Sequence, residues 1–428
     1  MLLVLAGVIL GFKVQRIAAG PGSAATPRID APFTLAVQTP HIAWGLPSPE
    51  SPIHALAVPS VSEGRTLVEL AERFPLTYDT VMIDSAWDVN TWTVGRGENY
   101  EARNYQLLYK YLAQDLTSNT HYDVIVLPAL FGWNRLPQAV RDAILKRVEE
   151  GAGLVLIHPT TGIPAPDDPK TTRPMNDFAP DYAVSPGGKL WEVSPLVDVL
   201  SDRLDDHGYL QVRPDAVTAG PWKSVHQSFI TDNVPFDSFP ADYLKHYTYH
   251  AGKDSTVLVE GANGEPIVAT KMYGKGRVVA LGYLNHGLSP VIGWKFLGKQ
   301  NDHWWEYFYS LLDRSVIWAA HREPRMTLLP MRMESGKKRG ERVLVALRNS
   351  ASVRSAELTA DVIDEWGDRE GTVTREIKIK KGLNRATLAL PENLSPGTQF
   401  VDVILASGGK HYDWGSVSFS TPKAGEIL

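Results

Sequence analysis

The sequence predicts an α/β domain with a doubly wound, mostly parallel sheet, followed by an all-β sandwich. The chain has 428 residues, whereas a single core stops growing near about 250 to 300 residues. Short apolar runs alternate with amphipathic helices in the first three quarters of the chain, which is the order of a parallel sheet with crossover helices. Short alternating strands then follow, as in a β-sandwich. We place the boundary near Pro324, which gives predicted domains of 51–323 and 324–428.

The composition is that of a globular protein and excludes several functional classes. A net charge of -5 at pH 7 gives no electrostatic footprint for nucleic acid. The chain contains no cysteine, so disulfides, thiolate metal sites and cysteine nucleophiles are all excluded. We expect neither a cofactor nor a metal, because no motif for either is present.

The first 50 residues predict a signal-like segment and a linker. An apolar run from Leu2 to Leu10 precedes small residues and a stretch rich in proline, glycine and alanine. That run is shorter than the about 20 apolar residues that span a bilayer. We therefore expect an extracytoplasmic protein that is periplasmic, secreted or surface-anchored. A mis-set start or an edge strand is the alternative.

The α/β pattern begins with a strand, a helix and a second strand. "IHALAVPS" is a short apolar run, and "GRTLVELAERF" places Leu67, Leu70 and Phe74 on one helical face. "YDTVMID" predicts the next strand, which ends at Asp84. A helix is then expected from Tyr105 to Leu116. This order is a β-α-β unit, in which the two strands lie parallel.

Two buried strands and a helix continue the pattern. "YDVIVLPALFGW" is nearly continuously apolar, as expected of a strand buried on both faces. Pro137 stands at the start of a helix whose inner face carries Val140, Ile144 and Val148. Gly151 is expected to end that helix, and "LVLIH" predicts the next buried strand.

The rest of the α/β part predicts loops, a hairpin and a long helix. Residues 163–250 are rich in proline, aspartate and aromatics, which indicates inserted loops at one edge of the sheet. "STVLVEG" and "EPIVATKMYGKGRVVALGY" predict three strands, the last two joined by a turn at Gly274 to Gly276. A helix over 302–320 then keeps one apolar face. After it, about six alternating strands predict the sandwich.

Several stretches carry a resemblance to a known family. "YDVIVLPAL", "GAGLVLIH", "VHQSFITDNVPF" and "EPIVATKMYGKGRVVALGYLNHG" resemble the class I glutamine amidotransferase-like superfamily. The likeness is strongest to its trehalose-utilisation-like branch and to the trimerisation domain of some β-galactosidases. It covers about two thirds of the chain and implies a flavodoxin-like order of strands. "FVDVILASGGKHYDWGSVSF" resembles the immunoglobulin-like modules of bacterial carbohydrate-active enzymes.

The resemblance also implies where a catalytic site would lie and that its reaction is lost. In that superfamily a cysteine follows the strand that matches "GLVLI", and a histidine after a late strand activates it. Here the turn begins with His158 and contains no cysteine, and the late histidine is His286. Glutamine amidotransferase activity is therefore excluded. Thr160 or Thr161 would need a strong adjacent base to replace the cysteine.

Three residues are candidate catalytic groups. His158, His286 and Asp84 each follow a predicted strand, at the carboxyl edge where open α/β sheets place ligands. They are suited to acid–base chemistry, or to holding a metal between them. The alternative is that His158 only binds the backbone of its own loop.

Aromatic and polar residues in the predicted loops are candidate ligand-binding groups. Aromatic faces beside carboxylates suit sugar rings, whose C–H faces stack and whose hydroxyls need hydrogen bonds. The alternative is that these aromatics form local core. The set comprises Trp87, Asp88, Trp92, Trp133 and Trp222.

Two further patterns are weaker. His246 and His250 have the spacing of a helical metal pair, but "KHYTYHA" alternates like a strand. Asp167 and Asp168 are adjacent in an extended loop and therefore point apart, unlike the paired carboxylates of a glycosidase.

Together these patterns predict an exported, carbohydrate-associated protein whose α/β domain acts as a glycan-binding or assembly module. Its expected partners are a carbohydrate ligand or a glycan-degrading partner domain, with a homo-oligomer as a further prospect. The first alternative is a carbohydrate-active hydrolase with a pocket at the carboxyl edge of the sheet. The second is a structural oligomerisation module.

Overall fold

The computed structural model describes fourteen segments of the chain. These are residues 41–45, 52–59, 64–81, 105–128, 133, 136–157, 159, 190–198, 216–218, 221–239, 245–247, 249–282, 304–336 and 340–421. They form one large mixed sheet, two four-stranded antiparallel sheets and two small two-stranded sheets.

The first part contains twelve strands and five α-helices among the described residues. In chain order they are β1 (Ile53–Ala57), α1 (Gly64–Arg73), β2 (Leu76–Thr80), α2 (Tyr105–Thr117), β3 (Val124–Pro128), α3 (Gln138–Glu150), β4 (Gly153–Ile157), α4 (Leu190–Val193), β5 (Leu196–Asp198), β6 (Ala216–Thr218), β7 (Lys223–Ser224), β8 (Lys245–Tyr247), β9 (Tyr249–Ala251), β10 (Thr256–Glu260), β11 (Pro266–Tyr273), β12 (Gly276–Leu281) and α5 (Trp304–Ala319).

The large sheet has the strand order β2-β1-β3-β4-β12-β11-β10-β7. The first five strands run parallel to their neighbours, and the last three are antiparallel. The predicted parallel core is therefore present, but the whole sheet is mixed. The reason is the hairpin between β11 and β12, because a two-residue turn can join only antiparallel strands. In that turn Gly274 has a φ of 58°, and the Lys275 N–H donates to Glu149 O at the end of α3.

One predicted strand is displaced. The sequence pattern placed it over Tyr78–Asp84, whereas β2 spans Leu76–Thr80. Leu76 pairs in register with Ile53 and is buried, but the middle of β2 is partly exposed. An edge strand of this kind has no continuous apolar run, so the pattern favoured the more apolar residues that follow it.

Helices cover both faces of the large sheet. Side chains of α1 and α5 join one apolar cluster, and those of α2 and α3 join the cluster on the opposite face. Helix α3 ends at Glu150 with Gly151 as its C-cap, as predicted. Helix α5 differs from the prediction of one apolar face. Fifteen of its sixteen residues are buried, so all sides of the helix are covered. A helix that is buried all round must be covered on both sides.

The second part supplies that cover. It contains eight strands, two more than predicted: β13 (Met326–Leu328), β14 (Arg332–Gly336), β15 (Gly340–Asn349), β16 (Ser355–Asp364), β17 (Arg369–Lys378), β18 (Gly382–Ala389), β19 (Gly397–Ser407) and β20 (Lys410–Thr421). One sheet has β15 at its centre, with β13 and β14 along one edge and β18 along the other. The second has the order β17-β16-β19-β20.

The two antiparallel sheets share one apolar core and so form a sandwich. Alternate residues of β15, β16 and β19 point into this core. The opposite side of the β19–β20 hairpin packs on α5. The rings of Phe400 and Tyr307 lie 4.8 Å apart, and Trp414 Nε1 donates to Ser310 Oγ at 2.7 Å.

Residues 41–45 belong to this junction, although the sequence placed them in a linker. Trp44 is fully buried and stacks on Trp414 with 6.1 Å between the ring centroids. The Ile42 N–H donates to Glu306 on α5 at 3.0 Å, and the Gly45 N–H donates to Arg73 O on α1. The segment therefore packs as core between the two parts.

A buried ion pair fastens the sandwich to α5. Arg314 Nη2 donates to Asp413 Oδ1 at 2.8 Å and to Trp414 O, and Arg314 Nη1 donates to Phe229 O at 2.6 Å. Asp413 Oδ2 also accepts the Leu328 N–H at 2.7 Å. Both members of the pair are at most 1% exposed. One guanidinium thus joins α5, a loop of the first part and β20.

Asp413→Leu is expected to lower the free energy of unfolding by about 3–5 kcal/mol, because it leaves the Arg314 guanidinium buried without its carboxylate. The double variant Arg314→Met/Asp413→Leu is expected to lose less. Urea denaturation measures both. The control is Arg369→Met, which removes an ion pair with Asp361 whose arginine is 64% exposed, and which should change stability by at most about 1 kcal/mol. An Asp413→Leu effect no larger than that of the control would contradict the role of the pair.

Candidate functional site

Six of the eight predicted site residues lie outside the described residues. They are the three catalytic candidates, His158, His286 and Asp84, and three of the ligand-binding candidates, Trp87, Asp88 and Trp92. Their roles remain predictions.

The described residues do include the carboxyl ends of β4 and β12, and a tyrosine ring packs there. Tyr249, at the start of β9, is 1% exposed, and its hydroxyl donates to Pro159 O at 3.0 Å. Its ring also lies against Gly282, directly after β12, so closely that a Cβ on that glycine would come within 2.8 Å of the ring. The space between these two strand ends is therefore occupied by an apolar ring with a satisfied hydroxyl.

The other two predicted ligand-binding residues are buried in the core. Trp133 is 2% exposed in the cluster of α2 and α3, and Trp222 is 3% exposed in the cluster of α1 and α5. The rings of Phe236 and Phe239 lie 6.4 and 5.7 Å from Trp222. Neither indole presents a face to a ligand. Both tryptophans are therefore local core, which was the alternative to ligand binding. The physical reason for their burial is that a tryptophan side chain has a large apolar area, which is stabilising to bury even when the residue lies in a loop.

A groove at the junction of the two parts was not predicted. It has a volume of about 530 Å³ and is lined by the loop after β7, the β13–β14 connection and strand β20. Its polar lining includes Ser224, His226, Asp232, Asp237 and Ser418. Binding sites commonly lie at such junctions.

Asn233 builds the floor of this groove. It has a φ of 61° in the left-handed region, which asparagine tolerates better than most residues. Its side chain donates to Leu329 O at 3.2 Å and accepts the Met331 N–H at 2.7 Å, and its backbone carbonyl accepts the Ser416 N–H at 2.8 Å. The groove is therefore held open by hydrogen bonds between the two parts.

The polar groups of the groove have fixed orientations. His226 Nδ1 lies 2.8 Å from Val257 O, a contact that requires the proton on Nδ1 and leaves Nε2 as an acceptor in the neutral ring. Ser418 Oγ donates to Asp237 Oδ2 at 2.8 Å. Burial raises the pKa of Asp232, and the Ser228 N–H and the Arg314 charge partly oppose that rise. These groups can donate to and accept from several hydroxyls at once.

The sequence carried a partial signal for this groove. Its loop falls within "VHQSFITDNVPF", a stretch that carries part of the family resemblance. The Asp-Asn-Val-Pro run marks a turn with a left-handed residue, but the sequence does not show that β20 lies beside it.

The junction also holds buried acids. Asp402 on β19 is 3% exposed, and burial raises its pKa to about 7 although Ser416 Oγ donates to Asp402 Oδ1 at 2.6 Å. Asp313 on α5 is fully buried, and neither of its oxygens accepts a hydrogen bond within the described residues. Burial raises the pKa of Asp313 well above its usual range, and the nearby Glu306 adds to this.

The histidine pair lies on strands, as the alternating pattern predicted. His246 belongs to β8, which pairs with β6, and His250 belongs to β9, which pairs with β5. Across the described segments, the His, Asp and Glu side chains form no group of three that could hold a metal ion. No helix in the described part of the chain has the length and apolarity of a membrane span.

Comparisons with known proteins give structural likenesses at low identity. No family model matches the sequence, and no curated protein matches it. A cytoplasmic protein of Salmonella typhimurium LT2 is 18% identical with a TM-score of 0.33, over 62% of this chain and 99% of that chain. A β-galactosidase from Bacillus circulans sp. alkalophilus is 13% identical with a TM-score of 0.29, over 78% of this chain and 41% of that chain. A β-galactosidase from Rahnella sp. R3 is 12% identical with a TM-score of 0.30, and 40% of its length is covered.

Tyr249→Phe is expected to lower the free energy of unfolding by about 1 kcal/mol, because Pro159 O loses its buried donor. The matched control is Tyr273→Phe, since that hydroxyl makes no hydrogen bond within the described residues, and its effect should be near zero. Chemical denaturation of the two variants measures the difference. Equal effects would show that the Tyr249 hydroxyl does not stabilise this edge of the sheet.

The raised pKa of Asp402 predicts a pH dependence of stability. Its carboxyl has a pKa of about 7 in the folded chain and an ordinary value of 3.8, so the folded state binds the extra proton between these limits. Stability from this group is complete below the lower limit and is lost as pH rises through 7, by about 1 kcal/mol per pH unit.

Asp402→Asn removes this titration, so the wild type should become less stable than the variant as the pH rises from 5 to 8. Urea denaturation across that range measures the difference. Asp142→Asn, an exposed change on α3, is the control and should follow the wild type. Parallel curves for wild type and Asp402→Asn would refute the shift.

Proposed function

We propose that the chain is a carbohydrate-associated binding module that takes its ligand in the junction groove. In this proposal the first part is a degenerate amidotransferase-like domain. Its parallel strands have the order β2-β1-β3-β4-β12, which is typical of flavodoxin-like sheets and supports this part of the proposal. The second part is an immunoglobulin-like module. The protein works outside the cytoplasm, beside a glycan-degrading partner.

The observation that carries the proposal is the polar lining of the groove. Two carboxylates, a histidine with a free acceptor nitrogen and serine hydroxyls from both parts face one space of about 530 Å³. A sugar presents several hydroxyls that donate and accept within a small area, so it matches this lining. The fixed hydrogen bonds of Asn233 hold the lining in place before a ligand arrives, which reduces the entropy lost on binding.

Two features argue against inherited catalysis. The chain has no cysteine, so no thioester can form on the turn after β4. The Tyr249 ring occupies the adjacent space between the ends of β4 and β12. The described residues at this edge of the sheet are therefore better suited to a structural role than to catalysis.

A hydrolase is the second candidate, and Asp232 favours it. A carboxyl whose pKa is raised by burial, in a groove that also contains a histidine, is a candidate general acid. An alternative catalytic site would contain His158, His286 and Asp84, the residues that the sequence predicts as catalytic. Assembly into a homo-oligomer is compatible with either function.

His226→Ala/Asp237→Ala is expected to weaken binding of a neutral oligosaccharide at least about tenfold, because each lost hydrogen bond contributes roughly 1 kcal/mol. Both side chains are exposed, so the fold should persist. Calorimetric titration with glucose-, galactose-, mannose- and xylose-based oligosaccharides measures the affinity. The control is Asp142→Ala on α3, far from the groove.

The outcomes separate the candidates. Equal affinity in the groove variant and the wild type removes the groove from the proposal, as does the absence of binding to every sugar of the panel. Turnover of any sugar that disappears in Asp232→Asn replaces the binding module by a hydrolase.

A further inference from the structure

The outer face of the sheet that contains β13, β14, β15 and β18 lies on the side away from the sandwich core. Val343, Val345 and Leu347 of β15 point into the sandwich core and are almost completely buried. The alternate residues Arg342, Leu344, Ala346 and Arg348 therefore point away from it. No described element packs over them, because the partner sheet lies on the other side of β15.

The register of the sheet brings arginines of three strands together on this face. Arg332 of β14 pairs with Leu344, and Arg385 of β18 pairs with Ala346. Arg348 lies two residues further along β15, on a diagonal to Arg385 at about 7–8 Å. All three arginines are exposed. Between them lie Leu344 and Leu383, with exposed fractions of 37% and 47%.

The positive charge of this face is not neutralised by the described residues. Arg342 pairs with Glu334 at 3.0 Å, the acid that β14 contributes to the face. Arg332, Arg348 and Arg385 have no ion-pair partner among the described residues. The chain as a whole has a net charge of -5, so the face opposes the overall charge. Such a patch attracts an anion against the field of the rest of the protein.

We propose that this face binds an anionic polysaccharide whose sugars carry carboxylate or sulfate groups. Guanidinium groups bind both by paired hydrogen bonds. The exposed leucines offer contact for the C–H faces of the sugar rings between the charges. Charges about 7–13 Å apart on one face of a sheet suit an extended chain with regularly spaced acids. Arg332 also lines the junction groove, so the two sites adjoin there, whereas Arg348 and Arg385 are not among the groove residues.

Two other polyanions are less well matched. Single-stranded nucleic acid is bound through aromatic side chains that stack on bases, and the face carries none among its described residues. An anionic membrane is met by surfaces with a broad apolar stripe and interfacial aromatics, whereas this face offers two separate leucines. Both are therefore outcomes of the test and not the proposed ligand.

The experiment compares the double variant Arg348→Gln/Arg385→Gln with Arg354→Gln/Lys378→Gln. The control pair is exposed, changes the net charge equally and lies at the β16–β17 sheet. The probes are polygalacturonate, dextran sulfate and neutral dextran at two salt concentrations. We expect the first variant to bind both anionic polymers at least about tenfold more weakly than the wild type, the control to match the wild type, and binding to fall with salt.

Equal loss in both double variants would overturn the proposal, because it would show a response to net charge alone. Binding of the wild type to phosphatidylglycerol vesicles or to single-stranded DNA, but not to the anionic polysaccharides, would also overturn it. Thermal unfolding of all variants shows whether the fold is kept. The groove variant His226→Ala/Asp237→Ala should bind the anionic polymers like the wild type, so failure of one proposal leaves the other standing.

Discussion

The guanidinium of Arg314 holds two segments of the chain, the loop after β7 and strand β20, against helix α5. It reaches the Phe229 carbonyl of the loop after β7, the Asp413 carboxylate and the Trp414 carbonyl of β20, and it lies over the rings of Phe229 and Trp414 at 4.7 and 5.1 Å. Burying an arginine this deeply is costly unless its donors are hydrogen-bonded. Both Nη atoms of Arg314 donate, whereas Nε has no acceptor among the described residues. Asp413 in turn accepts the Leu328 N–H, which positions the first strand of the sandwich. The floor of the groove follows from this, because its lining loop and β20 are the segments so joined.

The division of the sequence into two parts is therefore not a division of the core. Phe400 and Trp414 of the sandwich belong to the same apolar cluster as α1 and α5. Helix α5 has the sheet on one side and the sandwich on the other, which explains why almost all of it is buried. The sequence pattern changes near Pro324 because the chain beyond it forms only strands. The apolar core nevertheless continues across this boundary. Trp44 adds a third segment to the same cluster.

The sequence predicts an element of this fold well when the residues of that element alone carry its apolar pattern. Strands β3 and β4 are buried on both faces, so their continuous apolar runs identify them without knowledge of their neighbours. Strand β2 and the short β13 and β14 are edge strands, whose exposed residues weaken that signal. The sequence predicts Trp133 and Trp222 as ligand-binding residues, although both are buried, because tryptophans in predicted loops show the same pattern whether they contact a ligand or the core.

The groove lay beyond prediction for a different reason. Its lining combines residues almost 200 positions apart in the chain, such as Asp237 and Ser418, which are separated by 181 positions. No local pattern encodes such a contact. The left-handed Asn233 is visible as a turn residue, but its three hydrogen bonds to the second part depend on how the sandwich sits on α5.

The charges inside the junction favour one protonation state of the assembled molecule. Five buried carboxyl groups, those of Glu69, Glu306, Asp313, Asp402 and Asp413, meet the two buried guanidinium groups of Arg73 and Arg314. Arg73 binds both Glu69 and Glu306, and Arg314 binds Asp413, so each of these three acids has a guanidinium partner. Asp313 and Asp402 have no guanidinium bound to them, and burial raises the pKa of each. Because an unpaired buried anion is far more costly than a buried neutral acid, burial favours the protonated form of these two acids. For Asp402, which lies on β19 beside Tyr307 of α5, burial at the junction and proton binding are therefore linked, and the same junction forms the groove.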